Sequence, residues 1–354
     1  VLLEHGADVN SKDKTNLTPL HWASKIGHVD VARVLLEHGA DASAQGEDNL
    51  TPLHLASEHG QVEVARALLD HGADASAQGK DNLTPLHFAS KYGQVEVARA
   101  LLDRGADALV QGEVQPTPLH FASKYGHVEV ARALLDHGVD ASVQSKHKYT
   151  PLHYASESGH MEVARVLLDH GAGASAQGEG NLTPLHFALE NGHAEFARAL
   201  LDHGVDANVQ DEHKCTPLHF ASGRGHTEAA RVLLEHGADA SVQNEHKQTP
   251  LHSASKYGDA EVAWVLLEHG ADASVQDENN STPLHIALQC WCPFFSRLSS
   301  PESPPASSCK HLEVALVIFL HDADAITELT QDERERMANL LGITLNSIST
   351  QVLY

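Results

Sequence analysis

The 28 histidines of this chain are where its chemistry has to be sought first, since grouped imidazoles bind zinc, act as general bases and change charge near neutral pH. Sorted by position, they fall into columns. Nine close the tetrapeptide Thr-Pro-Leu-His, from His21 to His285. Nine stand in a column that mostly reads Leu-Leu-x-His, from His5 to His321, with Arg104 the exception. Six follow a glycine or occupy its column: His28, His127, His160, His193, His226 and His311. Only His59, His147, His213 and His246 stand outside these columns. Members of one column lie one structural unit apart, about 10 Å for packed helices. Zinc needs its ligands at about 2.0–2.3 Å, so column neighbours cannot share an ion. No Ser, Cys or carboxylate is placed uniquely beside one histidine as a nucleophile–base pair requires. The expectation is therefore structural: each Thr-Pro-Leu-His imidazole bonds neighbouring backbone and ties one unit to the next. No catalytic residue, no metal and no cofactor is expected.

The cysteines come closer to a site. Cys290, Cys292, Cys309 and His311 form Cys-x-Cys followed, after a further stretch, by Cys-x-His, a ligand count that suits structural zinc. The sequence between them is rich in Ser and Pro, and His311 falls in a column whose histidines already have a structural place, so zinc is not expected. Glycines sit at helix ends at a fixed period, which leaves no phosphate-binding loop.

The elements that carry these residues follow from the spacing. Thr-Pro-Leu-His begins at Thr18, Thr51, Thr84, Thr117, Thr150, Thr183, Thr216, Thr249 and Thr282, always 33 residues apart. One unit stacked many times is implied. In the copy from Thr51, the threonine caps a helix and Pro52 takes the first helical position, where a missing N–H costs nothing. Leu53, Leu55 and Ala56 make its apolar face, and Gly60 stops it in a left-handed conformation. A second helix is predicted over 62–71, with Val62, Ala65, Leu68 and Leu69 buried and Glu63 beside Arg66 on the outer face. Residues 75–83 then form a polar extended finger leading to the next tetrapeptide.

A 33-residue period with Thr-Pro-Leu-His-x-Ala resembles the ankyrin repeat. The resemblance covers residues 1–288 and resumes over 311–325. It implies an all-α ankyrin-repeat solenoid of helix-turn-helix units with short β-like finger loops. The turn glycine usual two residues before the Thr is Asn at Asn16, Asn49, Asn82, Asn181 and Asn280. It is Gln or Lys at Gln115, Lys148, Lys214 and Lys247, where looser fingers are expected because neither residue favours a left-handed turn.

Columns that change between copies are free to carry recognition. They cluster at the fingertips, at the residue before each Thr, and at the end of the first helix. The resemblance implies that these places line a concave, partner-binding surface. The candidates are Lys25, Ile26, Leu50, Glu58, His59, Leu83, Lys91, Tyr92, Lys124, Tyr125, His147, Tyr149, Glu157, Glu190, His213, Arg224, His246, Lys256 and Tyr257. Exposed Tyr beside a cation suits a protein–protein hot spot, and Tyr92 and Tyr125 stand in successive copies. A non-enzymatic scaffold or adaptor for protein partners is expected. The alternative is the sensor tail of a larger intracellular receptor whose nucleotide-hydrolysing domain lies upstream.

A net charge of −24 disfavours nucleic acid and anionic membranes as partners. The longest apolar run, Val314 to Leu320, is far below the roughly 20 residues that span a bilayer. Four cysteines in 354 residues favour a reducing, cytoplasmic setting, the nucleus included, and a monomer is expected. The organisation predicted is a partial repeat over 1–17, the array over 18–288, an unstructured Ser/Pro-rich insert over 289–310, a last second helix over 311–325 and a C-terminal cap over 326–354. The cap is expected because Trp264 and Leu316 replace a column of arginines and Leu320 replaces an acid, so an outer face turns apolar. Thr330-Gln331-Asp332-Glu333 is a capping box, and the helix after it is expected to pack on the last repeat with Met337 or Leu340 buried there. The first residues read as the end of a helix whose partner is missing, which leads us to expect a fragment of something longer.

Overall fold

The computed structural model describes residues 5–111, 116–291 and 306–321. Those residues hold eighteen α-helices and no strand, in short pairs such as Pro52–Glu58 with Val62–Asp70 and Pro118–Tyr125 with Val128–Asp136. The all-α repeat solenoid read from the sequence is the fold. The chain divides into two compact units, Val1–Phe187 and Ala188–Tyr354.

Each first helix begins as its sequence dictates. Thr51 is extended (φ −92°, ψ 165°), Pro52 follows at the first helical position, and His54 Nδ1 accepts the Thr51 backbone N–H at 3.0 Å. The imidazole thus takes the place that Glu or Gln holds in an ordinary capping box. At the other end, Gly93 adopts φ 74° and closes the helix Pro85–Tyr92. Burial follows the two helical stripes: Leu53, Ala56, Val64, Ala65 and Leu68 are wholly inaccessible. Val64 stands where the sequence reading placed Val62, which is half-buried. Residues 64, 65 and 68 share one face of the helix, and its first residue sits at the edge of that face.

Fingers turned by Asn and by Lys close on the same backbone bond, although those of Asn49, Asn82 and Asn181 add a second left-handed residue before it. Gly46 N–H bonds Leu50 O at 2.9 Å, and Asp211 N–H bonds Cys215 O at 3.0 Å. Lys148, Lys214 and Lys247 adopt φ of 59°, 60° and 57°, beside 58° at Asn49, Asn82, Asn181 and Asn280. The looser fingers expected at these lysines are not found, and Gln115 lies outside the described residues. In the finger of Lys214, Asp211 Oδ1 accepts the N–H groups of His213 and Cys215 at 2.9 and 2.7 Å. This Asx brace holds the left-handed turn that lysine alone disfavours. Lys214→Gly should therefore stabilise the protein by roughly 0.5–1 kcal/mol, the left-handed strain exceeding the entropy that glycine adds to the unfolded chain. A urea midpoint that fails to rise would show that the lysine is unstrained.

The last described helix, Ala306–His321, packs against Ala260–Glu268 and Pro283–Trp291. His311 Nε2 meets Lys256 O at 3.0 Å across 55 positions, whereas His127 and His160 make the same bond to Lys91 and Lys124 across 36. The helix that follows the insertion therefore stands where a second helix belongs. Both ends of the 289–310 span are helical, since the preceding helix runs to Trp291 and this one starts at Ala306. Val314, Ala315 and Ile318 are buried, Leu316 is half-buried, and Leu320 and Trp264 are 74% and 43% exposed. The predicted cap, with Met337 and Leu340, lies outside the described residues. No helix among the described residues is long and apolar enough to cross a membrane.

Candidate functional site

The histidine columns do three kinds of structural work. In the first, Nδ1 faces the Thr of its own tetrapeptide and Nε2 reaches the backbone carbonyl before the next one. His54 lies 2.8 Å from Thr51 Oγ1 and 3.0 Å from Leu83 O, and His120, His153, His219 and His252 repeat this toward Tyr149, Leu182, Gln248 and Ser281. With Nδ1 accepting the Thr N–H, the network assigns the proton to Nε2, which donates to the carbonyl. Burial of these rings pulls the pKa of His54, His120, His153 and His219 down to about 4, so they are neutral at pH 7. In the second column Nδ1–H donates to the carbonyl four residues back, as at His71 to Ala67 O (2.9 Å) and His170 to Val166 O (2.8 Å). Its Nε2 side faces an acid of the preceding repeat, as in His236 and Asp202 at 3.3 Å. Arg104 keeps that arrangement by pairing with Asp70. The third column ties the end of a first helix to the next repeat, through the bonds of His127, His160, His226 and His311.

Among the described residues no group of three or more His, Cys, Asp or Glu is arranged to hold a metal ion. Cys290 is exposed, while Cys292 and the Cys309 side chain lie outside the described residues, so the Cys-x-Cys and Cys-x-His set is not described as a whole.

The variable columns carry most of the remaining exposed chemistry. At the first-helix ends, Tyr92, Tyr125 and Tyr257 stand 41%, 42% and 56% exposed. Lys91 Nζ lies 5.2 Å from the Tyr92 ring and Lys256 Nζ 5.7 Å from the Tyr257 ring. Lys124 turns to Tyr154 instead (5.8 Å), leaving Tyr125 stacked on Phe121 at 6.2 Å. Lys25 sits over Trp22 (5.6 Å) rather than with the exposed Ile26, and Trp22 Nε1–H donates to Asp13 Oδ2 at 2.8 Å. His59 keeps to its own helix through Leu55 O (3.1 Å), beside Glu58 at 3.9 Å. Arg224 donates to Glu190 at 2.6 Å.

At the fingertips, His147, His213 and His246 each face a glutamate of the next finger, Glu179 (2.5 Å), Glu245 (2.8 Å) and Glu278 (3.0 Å). A backbone bond from the same glutamate N–H to the histidine carbonyl, 2.9–3.1 Å long, doubles each pairing. Leu50, Leu83 and Tyr149 are half-buried. A Cβ built on Gly79 would come within 2.8 Å of Leu50, and one on Gly178 within 2.2 Å of the Tyr149 ring. These side chains lie across the next finger's glycine.

Tyr149 also belongs to a pocket of about 210 Å³ with Lys124, His153, Tyr154, Glu157 and Phe187. Phe187 meets two of its rings edge to face, Tyr149 at 5.2 Å and 82° and His153 at 5.7 Å and 87°. A second hollow, of about 270 Å³, lies among Glu190, Cys215, His219, Phe220, Gly223, Arg224, Ser253 and Tyr257. The sequence reading missed Trp22, Tyr154, Phe187, Phe220 and Ser253, which all occupy the position after the tetrapeptide. Its variation in size was the available signal, hidden because most of its members are apolar and read as core.

A family model described as ankyrin repeats in three copies matches residues 40–112, 108–178 and 172–244, and one described as ankyrin repeats in many copies matches residues 2–56 and 233–287. Among solved structures, the human ASB11 ankyrin repeat domain is 28% identical, with a TM-score of 0.57 over 68% of this chain and 98% of that one. No curated protein matches the chain.

Proposed function

Because the chain belongs to the ankyrin repeat family, we propose that it is a non-enzymatic protein-interaction module whose partner lies along the first-helix ends and fingertips. The observation that carries this reading is the set of solvent-exposed aromatic rings at those ends, Tyr92 and Tyr125 in one unit and Tyr257 in the other, two of them with a lysine over the ring. Large rings held by a packed helix beside a cation bury much area at little entropic cost, which is the chemistry of interface hot spots. The histidines support it from the other side, because many of their ring nitrogens are engaged in bonds within and between repeats. A net charge of −24 favours a protein over a polyanion as the partner. The cysteine usage fits an intracellular, reducing setting and a scaffold or adaptor role.

The test is recovery of partners from cell extract by the parent chain and by the Tyr92→Ala, Tyr125→Ala double variant. At about 2 kcal/mol per hot-spot ring, recovery of a given partner should fall by more than tenfold with the melting curve unchanged. Equal recovery by the two proteins would remove these rings from the interface.

A further inference from the structure

In the N-terminal unit, four successive tetrapeptide imidazoles, from His54 to His153, each receive an aromatic ring of the following repeat. His54 meets Phe88 at 5.5 Å and 83°, His87 meets Phe121 at 5.8 Å and 88°, His120 meets Tyr154 at 5.3 Å and 81°, and His153 meets Phe187 at 5.7 Å and 87°. The ring always stands 34 positions after its histidine. Thirty-four positions after His219 stands Ser253. Beside it is the 270 Å³ hollow.

This hollow has an internal template. Six of its lining residues stand 66 positions after the six that line the smaller aromatic pocket. His219 and Phe220 keep the histidine and the ring of His153 and Tyr154. Cys215 stands where Tyr149 does, Ser253 where Phe187 does, and Gly223 where Glu157 does. Two rings and one carboxylate arm are gone, and the space they would fill is open. Gly223 supplies no side chain to narrow the mouth, where a Cβ would lie 3.4 Å from the Tyr257 ring. The volume lies below the roughly 300–1,000 Å³ of sites for drug-sized ligands and suits one side chain.

We propose that this hollow is an anchor socket for one aromatic side chain of a partner polypeptide, seated against His219 as Phe187 is against His153, with an acidic residue next to it in the partner. The acid follows from the charge at the mouth. Glu190 already answers Arg224 at 2.6 Å, whereas Lys256, one turn beyond Ser253 on the helix Pro250–Tyr257, lies over the Tyr257 ring rather than a carboxylate and is the cation left for an acid of the partner. The socket rests on the concave-surface reading above and makes its partner chemistry specific.

Ser253→Phe is the decisive variant, because it restores the ring column, fills the socket from within and should melt no lower than the parent. Two probes are used on the full chain: peptides selected from a random display library, and p-cresol followed by NMR. Selected peptides should share an aromatic residue beside an acid and bind Ser253→Phe at least tenfold more weakly. p-Cresol should shift the Gly223, Ser253 and Tyr257 resonances saturably in the parent and leave those of the variant in place. Peptides that lose binding with Tyr92→Ala and Tyr125→Ala but not with Ser253→Phe would overturn the socket and leave the concave surface standing. Peptides indifferent to all three substitutions would overturn both. Absence of p-cresol shifts in the parent overturns the socket even if no peptide is enriched.

Discussion

Acidification from pH 7 to pH 5 is expected to unfold this protein well above the pH at which surface carboxylates titrate. Five tetrapeptide histidines, His54, His87, His120, His153 and His219, are pulled from 6.5 to about 4 chiefly by burial. A histidine whose folded pKa is lowered contributes stability that is fully present above its unfolded pKa. That stability is lost as pH falls through 6.5 toward 4, because the unfolded chain binds the proton first. At pH 5 each of the five costs about 2 kcal/mol, and together on the order of 10 kcal/mol, comparable to the whole stability of a typical domain. The charges also oppose one another along the column, since His87 is disfavoured as a cation by both His54 and His120. Asp211 and Asp259, whose pKa values burial raises, act with the opposite sign but are too few to offset five imidazoles. Urea midpoints at pH 7, 6 and 5 should fall steeply together. The His54→Gln, His120→Gln, His153→Gln triple variant should give a flatter profile, because glutamine keeps an acceptor for the Thr N–H and a donor for the next carbonyl without titrating. A parent midpoint that holds between pH 7 and 5 would show these rings to be protonated in the fold.

The same histidines show how far the sequence could be read. Their 33-residue spacing fixes them as members of a stacked unit, and the Thr-Pro pair before them marks each helix start, because capping and proline geometry are local. What was not legible depends on neighbours in space. Lys214 looked unfit for a left-handed turn, yet Asp211, three residues before it, braces the finger. Lys124 and Tyr125 looked like a pair by adjacency, yet Lys124 lies over Tyr154 of the next repeat. His147, His213 and His246 looked like free contact residues and are bonded to glutamates of the next finger. Ser253 drew no notice, and Gly223 only as one member of a changing column, because a small side chain becomes a feature only where the columns meet.

Leu134→Ala should cost about 2.7–5 kcal/mol, the range for deleting a buried leucine side chain and leaving part of the cavity open. Leu134 is wholly inaccessible in the helix Val128–Asp136, which packs on the second helices of both neighbouring repeats, Val95–Asp103 and Met161–Asp169. In a stack whose repeats touch only their neighbours, stability is the sum of repeat and interface terms, so a mid-array loss weakens two interfaces while sparing distant ones. The substitution should therefore split unfolding as well as lower the melting temperature. Trp22 near one end and Trp264 near the other, each about two-fifths exposed, report the two sides. With Trp291 changed to Phe in both backgrounds, one remaining tryptophan at a time is followed in urea. In the parent, the Trp22 and Trp264 transitions should coincide. In Leu134→Ala the Trp22 transition should move to lower urea by more than the Trp264 transition, because Leu134 lies in the same compact unit as Trp22. Equal shifts at the two tryptophans would mean that the whole array unfolds as one cooperative body and that nearest-neighbour coupling does not describe it.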